Sequence, residues 1–205
     1  MPATRAETKR ATQARVLDAA ERLFEDEGFA ATTVRGIADA AQVSVGTVMA
    51  VGDKQALLVS VFDRSIEAEH NKRVADRGVP RATAISAAGR SGACPDRLVA
   101  LTAPFVSLFT RHDDLARVYA SILVSGGHDS RLFADLATGL TQEFRAVITE
   151  RGCTSSDEAA AKAGALYFTY VGLLFTASAR RTVDAAALST DLRGAFAAIC
   201  ACKEH

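Results

Sequence analysis

A few groups of residues in this sequence have the side chains and spacing to do chemistry. The run Gly126–Ser130, GGHDS, sets a histidine, an aspartate and a serine side by side, the residue types of hydrolytic catalysis. Adjacent residues point in different directions, and a triad needs its members gathered in space beside an oxyanion hole. A glycine turn followed by Asp129 or Ser130 as a helix cap accounts for the whole run. Cys200 and Cys202 form a C-x-C pair, with Cys94 and Cys153 elsewhere and His205 last. None stands at metal-ligand spacing from a further Cys or His, so the thiols read as free and no metal is expected. There is no GxSxG, P-loop or GxGxxG. No catalytic residue, cofactor or enzymatic activity is expected.

The remaining group belongs to recognition. Thr32–Leu58 reads TTVRGIADAAQVSVGTVMAVGDKQALL. Val34, Ile37, Ala38 and Ala41 fall at i, i+3, i+4 and i+7, one apolar face of a short helix that starts after Thr33. Ser44 is suited to cap a second helix through its hydroxyl, and the AAQV before it leaves room only for a tight turn. Val43 and Val48 then face the first helix, while Val45, Gly46, Thr47, Met49 and Ala50 stay outside. This is a helix-turn-helix, whose second helix is the kind that enters a DNA major groove.

The longer run AERLFEDEGFAATTVRGIADAAQVSVGT resembles the N-terminal signature of the TetR-like family of bacterial one-component transcription repressors. In that family an LF, a Gly followed by an aromatic, a TT, an IA and a VS-GT recur at this spacing. The resemblance covers residues 12–58. It implies an all-α homodimer, with an N-terminal three-helix helix-turn-helix head (1–54) joined by a linking helix to a C-terminal helical ligand-binding and dimerisation body (55–205). It further implies that Ser44, Val45, Gly46, Thr47 and Met49 meet the DNA, that Thr33, Arg35 and Lys54 meet phosphates, and that the last two helices form the homodimer interface. The linking helix conveys ligand binding to the head. One departure stands out: where the family follows GT with Tyr and then a second aromatic or His before Phe, this chain reads Val48, Met49, Ala50, Val51 and Gly52, without the aromatic phosphate contact.

Composition agrees with packed helices. Aromatics make up 6% of the 205 residues, Trp is absent, Ala is abundant, and no segment alternates as a strand does. The length suffices for one large or two small domains with a full core. A formal net charge of zero excludes a general polyanion binder. Residues 1–54 carry eight Asp or Glu against seven Lys or Arg, but the charges are unevenly placed. Arg5, Lys9, Arg10 and Arg15 face only Glu7 near the start, whereas Glu21, Glu25, Asp26 and Glu27 lie at the far end of the same helix. Exposed charges more than about 10 Å apart are screened, so such a head can turn its positive side to phosphates. The basic start also reads as a solvated, frayed tail. It has no apolar h-region, so the chain is expected to stay in a reducing cytoplasm.

The elements that must position these groups are legible from periodicity. A first helix runs from Thr8 or Thr12 to Glu27, with Val16, Leu17, Ala20, Leu23 and Phe24 as its stripe and Gly28–Phe29 as a left-handed cap. Helices follow at 34–41 and 45–50. The linking helix, capped by Asp53, continues through Leu57, Leu58, Val61, Phe62 and Ile66 to about Ala75. Arg77–Pro95 is a loop with a helical turn near 82–88. Helices then span 96–111, 114–125, 129–151, 156–180 with Ser155 and Glu158 as a capping box, and 184–202. The stretch 163–179 is apolar or small all round, which demands burial on every side; the competing account is a membrane span at the lower edge of spanning length. No membrane partner is expected.

A ligand cavity in the body draws on Phe105, Phe109, Phe144 and the polar anchors His112, Tyr119, Tyr167 and Tyr170, with Ala163 and Gly164 leaving room. Taken singly, each of these aromatics reads more readily as core. The expected ligand is a small apolar or weakly polar organic effector. The function expected is a ligand-responsive transcription regulator, a repressor binding an inverted-repeat double-stranded DNA operator as a homodimer. The alternative is a helical ligand-binding dimer of the same fold with specific DNA binding weakened or lost.

Overall fold

The computed structural model describes residues 4–78, 93–128, 130–150, 152, 154–180 and 184–201. Asp129, Cys153, Cys202, His205 and the turn expected near 82–88 lie outside them. The described residues form nine helices and no strand, grouped into two compact units. One unit comprises Met1–Ser65 with Asp114–Ser130, the other Ile66–Asp113 with Arg131–His205.

In the first unit, α1 (Arg5–Ala31) begins earlier than periodicity suggested, because Thr4 and Glu7 close a capping box: each backbone N–H is bound by the other's side chain. Hydrogen bonding from the Thr4 backbone N–H, and then from its hydroxyl, holds the Glu7 carboxyl below its usual range. The basic start is thus helical, with Arg5, Lys9, Arg10 and Arg15 exposed on it. Val16, Ala19, Ala20 and Phe24 are buried. Gly28, at φ +80°, kinks the helix and lets the Phe29 ring return onto Phe24 at 5.5 Å.

Helices α2 (Val34–Ala41) and α3 (Val45–Val51) pack on α1 through Ile37, Ala38, Ala41 and Val48. Helix α4 (Lys54–Gly78) is capped by Asp53, whose carboxylate accepts the Ala56 N–H at 2.8 Å. Its Arg64 reaches Asp18 and Glu21 on α1, which raises the guanidinium pKa against the opposing pull of burial. Helix α6 (Asp113–Ser125) and the following turn complete this unit.

The second unit packs α5 (Cys94–Arg111), α7 (Arg131–Glu150), α8 (Ser156–Ala179) and α9 (Ala185–Cys200) around Leu98, Phe105, Phe144, Ile148, Leu166, Leu192 and Phe196. Pro95 sits in the first turn of α5, where its missing N–H costs nothing. Burial of α8 is one-sided in the single chain. Ala159, Ala163, Leu166, Tyr170, Leu174 and Ser178 face inward, whereas Ala165, Gly172 and Thr176 are exposed and Phe168 is 74% exposed. Expected all-round burial is therefore not what one chain supplies. Among the described residues no single helix is long and apolar enough to cross a membrane.

Candidate nucleic-acid interface and ligand cavity

The helix-turn-helix is built by its caps. Thr33 Oγ1 accepts the Gly36 N–H at 3.0 Å and starts α2, which ends where Gln42 turns left-handed at φ 54°. Ser44 Oγ accepts the Thr47 N–H at 3.1 Å and starts α3. Its oxygen also lies 2.9 Å from Thr47 Oγ1, so the two hydroxyls of this turn are bonded to each other. Val48 is fully buried, which fixes the rotation of α3. The opposite face presents Val45, 44% exposed, and Met49, 50% exposed, together with Gly46 and Ala50. Arg35 is exposed on α2. The α3–α4 junction is tight: a Cβ on Gly52 would meet Ala56 Cβ at 2.9 Å.

Lys54 occupies a different setting from a solvated phosphate ligand. Its ammonium donates to the Phe29 and Thr32 carbonyls at 2.8 and 2.9 Å and lies 4.3 Å from the centre of the Phe29 ring. It satisfies carbonyls at the end of α1 and ties the start of α4 to them. Of its three donors, one remains for any other partner.

The GGHDS run is drawn to α4 and its cap. Ser130 Oγ donates to Asp63 Oδ1 at 2.8 Å, while His128 Nε2 lies 3.4 Å from Asp53 Oδ1. Serine and histidine thus face different carboxylates. Tyr119, fully buried on α6, donates to the same Asp63 oxygen and stacks on Phe62 at 4.9 Å.

A small cavity of about 50 Å³, partly open to solvent, lies within the second unit. Phe105, Phe109, Tyr167 and Tyr170 line it, four of the residues expected from sequence. The others are elsewhere: Tyr119 is in the first unit, Phe144 packs edge-on against Phe196 at 5.6 Å, and His112 ends α5 with its N–H on the Leu108 carbonyl. Burial raises the Tyr167 phenol pKa and keeps it protonated. Sequence reasoning missed His70 and Glu143, which join the Tyr167 and Tyr170 phenols as polar groups on a mostly apolar wall. A signal existed, since His70 follows Ile66 by one turn, and Glu143 continues the stripe of Leu136 and Leu140. Among the described residues no His, Cys, Asp and Glu cluster could hold a metal ion.

Residues 16–61 match the family model of bacterial regulatory proteins, tetR family. A TetR transcriptional regulator from Rhodococcus sp. RHA1 is similar in structure over 93% of this chain and 95% of that one, at 18% identity and a TM-score of 0.58. Thermus thermophilus FadR, a TetR family transcriptional repressor in complex with lauroyl-CoA, is similar over 91% and 92%, at 19% identity and a TM-score of 0.60. Salmonella enterica GusR is similar over 94% and 96%, at 20% identity and a TM-score of 0.50. Comparison with curated proteins gives no match. The fold is TetR-like, with a tetR-family helix-turn-helix at its amino end.

Proposed function

We propose that this chain, which carries the tetR-family DNA-binding segment, is a ligand-responsive repressor that binds an inverted-repeat operator as a homodimer. The observation that carries the reading is the exposed face of α3, held by the Ser44 cap on one side and the buried Val48 on the other. Two such helices related by a two-fold axis read half-sites about one helical turn apart. Thr33, Arg35 and the exposed Arg5, Lys9 and Arg10 supply phosphate contacts, while Lys54 holds the head together. The open small-residue face of α8 around Phe168, with α9 beside it, supplies the contact between subunits. The apolar cavity takes a small apolar or weakly polar organic effector, and the lauroyl-CoA held by the Thermus relative supports ligand responsiveness. Helix α4 carries the effect to the head, because its residues belong to both units. A ligand acts this way only if it favours one of two arrangements.

Selection of the purified protein against a random double-stranded DNA library, followed by sequencing, tests this reading. Enrichment of an inverted repeat is expected. Sequence-blind binding, or none, would instead favour a helical ligand-binding dimer that has lost specific DNA reading. The apolar VMAVG segment and the slightly acidic head favour that second reading.

A further inference from the structure

The seven residues of α3, VGTVMAV, contain no Arg, Lys, Asn, Gln, Asp or Glu. Those are the side chains that pair bidentately with guanine or adenine edges, or accept from the cytosine amino group, in the major groove. The hydroxyls of Ser44 and Thr47 are bonded to one another within the cap. What the helix holds out is apolar: Val45 and Met49 one turn apart, with Gly46 and Ala50 adding no bulk between them. Two side chains of this size are far short of the roughly 800 Å² per partner of a stable protein interface. In the major groove, however, one base offers an apolar group, the 5-methyl of thymine.

Resting on the DNA-binding reading above, we infer that Val45 and Met49 read thymine 5-methyl groups, so that the specificity of α3 is apolar rather than hydrogen-bonded. Cations outside α3, such as Arg35, anchor the backbone, and the groove-facing patch selects half-sites that place thymines beneath it. Moving a methyl-sized group out of water changes affinity about fourfold.

The test replaces thymine by deoxyuridine, which lacks only that methyl, at single positions and then throughout the operator recovered by selection. Affinity is expected to fall about fourfold at each contacted position and by more than tenfold when both half-sites are replaced. In Val45→Ala and Met49→Ala the thymine-to-uracil affinity ratio should move toward one. Both positions are exposed, so thermal unfolding should match the parent protein. If an inverted repeat is selected but uracil binds as well as thymine, this inference fails and the regulator reading stands. An undiminished thymine preference in both variants assigns the methyl contact to other residues and also overturns it. Absence of any selected sequence defeats both readings.

Discussion

The phenol of Tyr119 donates a 2.9 Å hydrogen bond to Asp63 across 56 residues of sequence, and Ser130 donates to the same carboxylate oxygen at 2.8 Å. With the Tyr119 ring stacked on Phe62, these bonds fasten α6 and its closing turn to the first half of α4. A charged acceptor makes such bonds stronger than neutral ones, and a buried donor deprived of its acceptor carries a desolvation cost. Tyr119→Phe keeps the stack and should lower stability by about 1 kcal/mol. Asp63→Ala removes the acceptor of both hydroxyls and should cost about 1–3 kcal/mol. Urea unfolding of the two variants and their double mutant measures this, and strictly additive losses would show that the pair is not coupled.

Lys54 is expected to act on the head's stability before it acts on DNA. Lys54→Met preserves the stem but removes two hydrogen bonds from a charged donor, each worth about 1.5–3 kcal/mol, as well as the contact with Phe29. Thermal unfolding should report a lower midpoint. Operator affinity should fall evenly across sequences, with the slope of log K against log salt changing by less than the roughly 0.9 expected of one neutralised phosphate. A full unit of slope lost with no change in unfolding would make Lys54 a phosphate ligand instead.

Local features of this chain could be read in advance because their causes are local. Thr33, Ser44, Asp53 and Ser155 each accept the N–H three residues on, and capping needs nothing from elsewhere in the chain. Gly28 was recognisable as a break for the same reason. Long-range pairing is a different matter. Nothing in the periodicity of 114–125 says that Tyr119 turns to Asp63 rather than to the cavity, since a tyrosine on an apolar stripe looks alike in either place. Lys54 was assigned to phosphate by its motif, and only the position of the Phe29 and Thr32 carbonyls reveals its other bonds. Apolarity around 163–179 demanded burial on every side of the helix axis, but one chain covers only the face of Leu166 and Tyr170.

The uncovered face of α8 should therefore be lost to a charge. Phe168→Arg is placed where a lone side chain is 74% exposed, so the single chain should keep its fold. If this face joins two subunits, burying an unpaired guanidinium there costs several kcal/mol. Sedimentation should show a monomer at concentrations where the parent is a dimer, and operator binding should weaken with it. A variant that remains a dimer places the subunit contact elsewhere.

Alkaline titration should expose the burial of Tyr167. Its phenol pKa lies above the ordinary value of 10.0 because burial penalises the charged form. The folded chain then holds this proton more tightly than the unfolded one. The associated stability is complete below pH 10 and is lost as the pH climbs from there through the raised value. Tyr167→Phe should flatten that part of the stability curve, and tyrosinate absorbance should show one fewer late-titrating phenol. If parent and variant lose stability in parallel, the phenol is solvated.

The cavity can be tested without knowing its natural ligand. Ala137 lines it beside Leu136 and Leu140 on α7 and is only partly buried, so a larger side chain there grows into the cavity. Ala137→Trp should fill much of the space that an apolar guest would take, at a cost below the 1–3 kcal/mol of overpacking a closed core. The chain has no Trp, and two of its three tyrosines, Tyr167 and Tyr170, face the cavity. Tyrosine emission should therefore change when an apolar probe such as anilinonaphthalene sulfonate binds the parent protein. That change, and the rise in unfolding temperature that accompanies binding to the native state, should both be reduced in Ala137→Trp. Equal binding by the parent and Ala137→Trp would place the probe on another surface and remove the cavity as the effector site.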